Sequence, residues 1–284
     1  TVMETIPNIR RKSFQSLFEL TNGTVEHVLK KLNVNEVRQC SISNLSKFYQ
    51  AWSRLIPFDN LMKTHKLSTD INASLPGTTA EDFFCNWLKY GVGGTCWAGN
   101  GAIFGLLRTL GYNAEFIAGC MLSDPLDKSS SLGHGSIIIT LDEGAFLIDA
   151  TMLHGVPIHL VPNESANKTF YFRVEKRDNK FQIKWQPLGR NYSFFQINKR
   201  NLVESEILTL HEASRGLSKF NGSPLIRMAR PSSLIGIVRG SLIIRDEQGV
   251  ETFQNSDQFC FPQTLVNDFG INREFSNQIV NSLR

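Results

Sequence analysis

The segment that decides the fold is residues 133–149, which read GHGSIIITLDEGAFLID. Two apolar runs, 136–141 and 146–149, flank a polar turn, and this pattern predicts an antiparallel hairpin. Because the second strand returns toward the start of the first, His134 and Asp149 are expected to lie side by side at one end of the hairpin. A carboxylate that orients an imidazole is typical of enzymes with an activated nucleophile.

A cysteine at a predicted helix start is the second chemical feature. Residues 92–100 read VGGTCWAGN and lead into the apolar stretch 102–110. The glycine pair allows a tight turn and Thr95 is a suitable N-cap, which places Cys96 in the first turn of a helix. Unpaired N–H groups and the helix dipole stabilise a thiolate there, and the thiolate is the nucleophile. A small buried cysteine beside a glycine turn is the alternative without function.

The chain divides into three parts by its pattern. Before residue 111 it is mainly helical, with apolar residues at helical spacing over 45–56 and 81–90. The middle carries short strand-like runs separated by turns, and the end combines two further runs with a terminal helix capped at Asn267. This order predicts an α+β fold. The expected domains are a helical domain with the cysteine, a β domain with the histidine and aspartate, and a mixed domain, at 1–111, 112–210 and 211–284.

Composition excludes several classes of protein. The 284 residues are 41% hydrophobic and 20% charged, which is ordinary for a globular chain and argues against disorder. The net charge of +4 comes without a basic segment, so no nucleic-acid partner is expected. Mean hydropathy is −0.16, and no apolar run approaches the roughly 18 residues of a membrane helix. Residues 1–12 lack the apolar core of a secretory signal, which disfavours secretion.

The cysteine and histidine patterns bear on compartment and metals. Five widely spaced cysteines without a CxxC disfavour a disulfide framework and a zinc ribbon, and they favour a reducing cytoplasm. The histidines lack HExxH spacing. We therefore expect a cytoplasmic protein that works without a metal and away from membranes.

With these residues in place, the chain resembles the arylamine N-acetyltransferase family over most of its length. Any one matching block would be weak, but four in the family's order and with similar spacing are fairly specific. The four blocks are Pro57–Leu61; Gly93–Cys96 with Asn100; Gly133 and His134 ahead of Leu147–Asp149; and Ser223–Leu225 followed by Ala229, Arg230, Arg239 and Gly240. The resemblance implies a helical first domain, an antiparallel β-barrel and an α/β lid around a cysteine-protease-like core.

The resemblance also implies ping-pong acyl transfer from a thioester, such as acetyl-CoA, to a small-molecule amine. In this carry-over Cys96 is the nucleophile, His134 the base and Asp149 the orienting carboxylate. Backbone N–H groups at the start of the cysteine helix would hold the oxyanion. The residues predicted to bind the cofactor are Ser223, Arg227 and Arg230.

Two places depart from the family pattern. Val92 and Ala98 stand where the family has an arginine and a glutamate, so a charge pair that helps to order the cysteine loop is missing. After Asp149 the family has a glycine-rich turn that approaches the donor's pyrophosphate, whereas residues 150–155 read ATMLHG. The second departure leaves the donor open between coenzyme A and the pantetheine arm of an acyl carrier protein, as used by amide synthases of this kind.

Two further functions stay open at this point. The same three residues would suit a transglutaminase-like cysteine hydrolase, which needs no phosphate-binding turn. A non-catalytic binding module that keeps the scaffold is the second. Transfer from a thioester without amide cleavage would argue against the hydrolase. Failure of Cys96 to react faster than the other four cysteines near neutral pH would favour the binding module.

Overall fold

The structure is a computed structural model, and it describes residues 16–216 and 221–282. Residues 1–12, on which the prediction about a secretory signal rests, lie outside the described residues. No helix in the described part of the chain is both long and apolar enough to cross a membrane. The helices there are α1 (Asn22–Leu32), α2 (Ile42–Leu55), α3 (Leu61–Thr69), α4 (Ala80–Tyr90), α5 (Cys96–Thr109), α6 (Glu204–Ala213), α7 (Phe261–Phe269) and α8 (Arg273–Ser282).

The strands pair into two antiparallel sheets. The strands in the described residues are β1 (Phe58–Asp59), β2 (Asn113–Leu122), β3 (His134–Leu141), β4 (Gly144–Ile148), β5 (Ile158–His159), β6 (Asn163–Glu164), β7 (Phe172–Arg177), β8 (Lys180–Trp185), β9 (Ser193–Lys199), β10 (Ile226–Ala229), β11 (Leu234–Val238), β12 (Ser241–Arg245) and β13 (Glu251–Gln254). One sheet has five strands in the order β1-β10-β11-β12-β13, and the other has eight in the order β5-β4-β3-β2-β9-β8-β7-β6.

Local sequence signals set the ends of the first helices. The side chains of Ser41 and Thr79 accept hydrogen bonds from backbone N–H groups in the first turns of α2 and α4, which satisfies donors that a helix start leaves free. Gly91 ends α4 in the left-handed conformation, with φ of 79°. Apolar faces then pack the two helices together, with the rings of Trp52 and Phe83 stacked 5.7 Å apart. The helical pattern predicted for 45–56 and 81–90 is therefore present.

The eight-stranded sheet is nearly closed and barrel-like. One of its hairpins joins β3 and β4, with Ile137 opposite Ile148 and Leu141 opposite Gly144, as the segment 133–149 predicts. Side chains alternate between two cores along these strands, because successive residues point to opposite faces. Ile137 and Ile148 belong to the core shared with the helices, whereas Ile138 packs inside the barrel.

The five-stranded sheet joins distant parts of the chain. Its edge strand β1 comes from the helical region, and Phe58 lies opposite Arg227 of β10. Apolar residues of α3, α7 and α8, among them Leu61, Leu265 and Phe275, pack on this sheet. The predicted fold class is confirmed: α+β, with a helical part, a barrel-like sheet, an α/β part and a cysteine-protease-like core. The domain bounds at 111 and 210 stay a prediction.

The terminal helix is the element whose prediction was wrong. Instead of one helix capped at Asn267, two helices flank Gly270, and Asn267 lies inside the first of them. Gly270 has φ of 69°, a conformation that ends a helix, and Ile271 N–H then bonds back to the Leu265 carbonyl. The second helix is capped instead by Asn272, whose side-chain oxygen accepts a hydrogen bond from the Phe275 N–H.

Candidate active site

Cys96 begins α5 and lines a cavity that is partly open to solvent. The residue is 5% exposed, and the cavity beside it has a volume of about 310 Å³. Thr95 occupies the N-cap position, but its side chain accepts no hydrogen bond from the helix. The first-turn N–H groups of α5 are therefore not occupied by a capping side chain, which leaves donors beside the sulfur.

The loop before Cys96 is ordered by a buried carboxylate. Asp59 accepts hydrogen bonds from the N–H groups of Gly93 (2.6 Å) and Leu61 (2.9 Å), and its own N–H donates to the Gly94 carbonyl at 3.1 Å. Burial raises the pKa of Asp59 to about 7. A Cβ at Gly93 would lie 1.8 Å from the Pro57 carbonyl oxygen, so only glycine fits at that position.

Asp59 orders the cysteine loop in place of the charge pair that is missing at Val92 and Ala98. Val92 is fully buried in the core under the five-stranded sheet, and Ala98 packs closely against Gly77 and Gly94. Neither position leaves room for a charged pair. The loop is held instead by backbone hydrogen bonds to Asp59.

His134 and Asp149 lie together at the end of the β3–β4 hairpin. The His134 Nε2 and the Asp149 Oδ2 are 2.7 Å apart, and both residues are buried. Cys96 lies close enough to the His134 ring to raise its pKa, and both side chains line the same cavity. Since Nε2 faces the carboxylate, Nδ1 is the nitrogen left for the sulfur. The structure thus brings the three predicted site residues together.

The electrostatics favour a charged imidazole. Burial alone would lower the pKa of His134, but the Asp149 charge and hydrogen bond, together with Cys96, raise it well above its usual value. Burial would likewise raise the pKa of Asp149, and the charge and hydrogen bond of His134 hold it below its usual value. The pair therefore stabilises an imidazolium next to a carboxylate.

Asp149 is fixed in position from several sides. Its Oδ1 accepts a hydrogen bond from the Thr151 N–H at 2.7 Å, which leaves Oδ2 for the imidazole. The hydroxyl of the fully buried Tyr49 donates to the Asp149 carbonyl at 2.7 Å and accepts from the Asp149 N–H at 3.2 Å. A helix of the first part of the chain thus holds the backbone of the aspartate.

Asn100 links the cysteine helix to both strands of the hairpin. Its Nδ2 donates to the Gly135 carbonyl at 2.8 Å, and its Oδ1 accepts from the Ala150 N–H at 2.9 Å. Gly135 and Ala150 directly follow His134 and Asp149. One buried amide, with 0% exposure, therefore connects the start of α5 to the strand ends that carry His134 and Asp149.

We expect Asn100→Leu to destabilise the protein by about 3 kcal/mol, because it leaves one buried carbonyl and one buried N–H without partners. Urea unfolding at pH 7.5 measures the change. The matched control is Asn113→Leu at the exposed start of β2, for which we expect little change. Equal stability of Asn100→Leu and wild type would contradict the role given to this amide.

The cavity lies where the three parts of the chain meet. Its polar groups include the Thr151 hydroxyl, which is buried and lacks a hydrogen-bond partner among the described residues, and the side chains of Arg190 and Arg227. Its walls are largely apolar, with Phe58, Met121, Trp185, Leu188, Leu225 and Val238 among the lining residues. Such a cavity suits a compact organic group with a few polar anchors.

The three residues predicted to bind the cofactor lie apart. Arg227 is buried and lines the cavity. Arg230 is half-buried and forms an ion pair with Asp268 of α7. Ser223 is exposed, and its carbonyl accepts a hydrogen bond from Asn60. Neither Arg230 nor Ser223 is among the lining residues of the cavity, and the binding role of the set stays a prediction.

The turn after Asp149 is packed into the protein. Ala150, Met152 and Leu153 are buried, and Leu153 has φ of 55°, which is uncommon for a residue with a side chain. Gly155, with φ of 68°, provides the flexible point expected from the sequence. A side-chain-filled turn replaces the glycine-rich one of the family pattern.

His154 ends this turn as a buried neutral imidazole. Its Nε2 lies 3.2 Å from the Tyr171 carbonyl, so this nitrogen carries the hydrogen, and its Nδ1 has no partner among the described residues. Burial lowers the pKa of His154 to about 4. The ring packs against Phe172 and Trp185, behind the cavity wall.

His154 should make the protein less stable in mild acid. In the unfolded chain its pKa is near 6.5, so between pH 6.5 and 4 the unfolded state binds a proton that the folded state does not. Stability is full above pH 6.5 and falls as the pH drops. We expect His154→Gln to lose about 1 kcal/mol less than wild type between pH 7.5 and 5.5 in urea unfolding. Identical losses would refute this.

Comparison with known proteins identifies the family of this chain. A model of the N-acetyltransferase family matches residues 41–279. The chain belongs to the arylamine N-acetyltransferase family. It is an acyltransferase, as the sequence predicts. A search of the curated proteins found no match.

Solved arylamine N-acetyltransferases share the fold. The enzyme from M. tuberculosis is 16% identical, with a TM-score of 0.73 over 90% of this chain and 99% of that one. The Mycobacterium marinum enzyme, solved in complex with CoA, is 17% identical, with a TM-score of 0.74 over 92% and 100%. The Bacillus cereus enzyme, described with a Cys-His-Glu catalytic triad, is 18% identical, with a TM-score of 0.69 over 89% and 100%.

Sequence reasoning did not assign several residues that shape the site. Asp59 and Asn100 stood in the matching blocks, so their position in the family pattern was a usable signal. Tyr49 had no local signal, because its contact with Asp149 joins distant segments of the chain. Within the described residues, no group of three or more His, Cys, Asp or Glu side chains could hold a metal ion.

Proposed function

We propose that the protein transfers an acetyl or other acyl group from a thioester, acetyl-CoA in the first place, to a small-molecule arylamine through an acyl-Cys96 intermediate. The observation that carries this is the grouping of three side chains at the start of α5: His134 hydrogen-bonds to Asp149, and Cys96 and His134 line the same cavity. Cys96 is also close enough to raise the pKa of His134. The family match supports acyl transfer, and the complex of the M. marinum relative with CoA supports coenzyme A as the donor's carrier.

In the first half-reaction Cys96 becomes acylated. His134 Nδ1 takes the thiol proton, and the carboxylate of Asp149 stabilises the resulting imidazolium. The thiolate attacks the thioester carbonyl, and first-turn N–H groups of α5 stabilise the oxyanion. The intermediate collapses by breaking the bond to the donor sulfur, which leaves as a thiolate and receives the proton from His134.

In the second half-reaction the amine takes the acyl group. The amine nitrogen attacks the carbonyl of acyl-Cys96 and loses its proton to His134, which has been left neutral by the first step. The carbon–sulfur bond then breaks, Cys96 leaves as a thiolate, and the amide is released. Cys96 is then a thiolate and His134 an imidazolium beside Asp149, which are the protonation states that attacked the donor in the first half-reaction.

We assign the three expected domains separate tasks in this reaction. The helical domain, 1–111, supplies the nucleophile, and the barrel domain, 112–210, supplies the base and its carboxylate. The lid domain, 211–284, supplies a cavity wall. The carrier-protein donor has no support from the family match or the fold, and no contact in the site favours a hydrolase. Cytoplasmic location remains a proposal from the cysteine pattern.

Intact-mass analysis tests the proposal directly. The protein is incubated with acetyl-CoA, and separately with an acetyl pantetheine thioester, and then with an arylamine. We expect a mass gain of one acetyl group that disappears when the amine is added, with the acetyl amide as product. A chain that takes up no acyl group from either thioester, or that cleaves amides instead, would overturn the proposal.

A further inference from the structure

Arg227 lies in the wall of the cavity beside Cys96. The residue is 6% exposed, and its Nε has no hydrogen-bond partner in the part of the chain that the structure describes. Within residues 16–216 and 221–282 its guanidinium makes no hydrogen bond and no ion pair. Burying a cation without a partner is unfavourable, so such a residue calls for a compensating group from outside the chain.

A second buried arginine shows how this fold satisfies a structural guanidinium. Arg245 is 2% exposed and bonds through three nitrogens to the carboxylate of Glu251 and to the carbonyls of Thr169, Gln186 and Pro187. Arg227 has none of this network. Its difference from Arg245 points to a ligand instead of a structural role.

The surroundings of Arg227 are aromatic and positive. Its guanidinium lies 4.5 Å from the ring centre of Phe58 and 5.7 Å from that of Trp185. Ring faces attract a cation but accept no hydrogen bond in the guanidinium plane, so its N–H groups stay free. Arg190 lines the same cavity, and the nearby carboxylate of Asp149 is already engaged by His134.

The pKa of Arg227 is also that of a buried cation without a close counter-charge among the described residues. Burial first and then Arg190 lower the pKa of Arg227 to about 9, and the charge of Asp149 offsets this only in part. No carboxylate side chain is among the described residues that line the cavity beside the two arginines. An anion is the chemical class that this cavity would take up.

The position of Arg227 puts such an anion close to the reacting sulfur. Arg227 lies opposite Phe58 in the five-stranded sheet, and Phe58 bridges on its other side to Gly94. Gly94 precedes Cys96 by two residues. Two strand spacings, about 10 Å, therefore separate the backbone of Arg227 from the cysteine loop.

We propose that Arg227, assisted by Arg190, binds a carboxylate carried by one of the two substrates of the acyl transfer, either the acyl group or the amine. This rests on the proposed function. A guanidinium matches a carboxylate with two parallel N–H bonds, and the apolar walls suit the organic remainder of the molecule. The enzyme would thereby select an acidic substrate over its neutral counterpart.

Two arms of one experiment distinguish the sources. The donor arm compares the acylation rate of Cys96 with succinyl-CoA and with acetyl-CoA. The acceptor arm compares transfer of acetyl to 4-aminobenzoate and to its methyl ester. In one arm we expect wild type to favour the carboxylate probe, and Arg227→Met to lose about 10- to 100-fold on that probe with little change on the neutral one.

Matched variants separate binding from folding. Arg227→Lys should recover part of the preference, and Arg173→Met, which removes an exposed arginine of β7, should change neither arm. Equal handling of acidic and neutral probes by wild type and by Arg227→Met would overturn the proposal. So would a loss of equal size for every probe, because it would assign Arg227 to the coenzyme A part of the donor.

A binding measurement keeps the inference separate from the chemistry. Isothermal titration with benzoate and with 4-aminobenzoate needs no acyl transfer, and wild type should bind at least one of them more tightly than Arg227→Met does. If this difference is present but no thioester acylates Cys96, the proposed function fails and the carboxylate site stands. If Cys96 is acylated and neither probe distinguishes the variants, the carboxylate site fails.

Discussion

The Cys96→Ser variant is expected to form no acyl-enzyme with acetyl-CoA and to lose at least about 10³-fold in transfer rate. A serine hydroxyl is a far weaker acid than a cysteine thiol, so His134 would deprotonate it to only a very small extent. The buried site otherwise keeps its shape, because serine is close to cysteine in size. Intact mass after incubation with acetyl-CoA, together with the rate of thiol release, measures the effect.

The exposed cysteine Cys85 supplies the control. Cys85→Ser should acylate like wild type, since that residue lies on the outer face of α4, away from the cavity. Iodoacetamide mapping near neutral pH should also label Cys96 ahead of the other four cysteines. Undiminished acylation of Cys96→Ser would remove the nucleophile and with it the ping-pong route.

The second large effect is expected for Asp149→Asn, which should slow acylation of Cys96 by about 10³- to 10⁴-fold. The amide oxygen must stay at Oδ1 to accept the Thr151 N–H, which turns the amide NH₂ toward His134 Nε2. Nε2 would then have to accept a hydrogen bond from this amide, and the ring hydrogen would move to Nδ1, the nitrogen that faces the thiol. An imidazole in that tautomer cannot take the thiol proton.

Single-turnover acylation with acetyl-CoA, followed by rapid quench and intact mass, gives the rate for this variant. Asp142→Asn, at the exposed turn of the same hairpin, is the matched control and should behave as wild type. His134→Ala should be impaired at least as strongly, because it removes the base itself. An Asp149→Asn enzyme within a few-fold of wild type would show that the carboxylate does not steer the imidazole.

The hairpin was predictable because its information is local. Alternating apolar runs around a polar turn define two paired strands, and pairing then places residues 134 and 149 at the same end. The start of α5 followed in the same way from two glycines and Thr95, although the threonine side chain does not cap the helix. Strong local signals of this kind fixed the ends of α2 and α4 as well.

The parts that were not predictable depend on contacts between distant segments. A two-residue strand such as β1 has no periodicity to detect, and its pairing with β10 spans more than half of the chain. Tyr49 reaches Asp149 across one hundred residues. The environment of Arg227 is formed by distant segments, so the sequence could not show that its buried Nε lacks a hydrogen-bond partner among the described residues.

The short strand β1 ties the nucleophile loop to the C-terminal third of the protein. Asp59 holds Gly93, while the neighbouring Asn60 bonds to the backbone of Ser223 and Leu225. A chimera that exchanged the C-terminal third between two relatives would therefore change contacts that support the loop before Cys96, and it would also change the cavity wall formed by Leu225, Arg227 and Val238. If the proposed function holds, such an exchange alters substrate choice and the position of the nucleophile together.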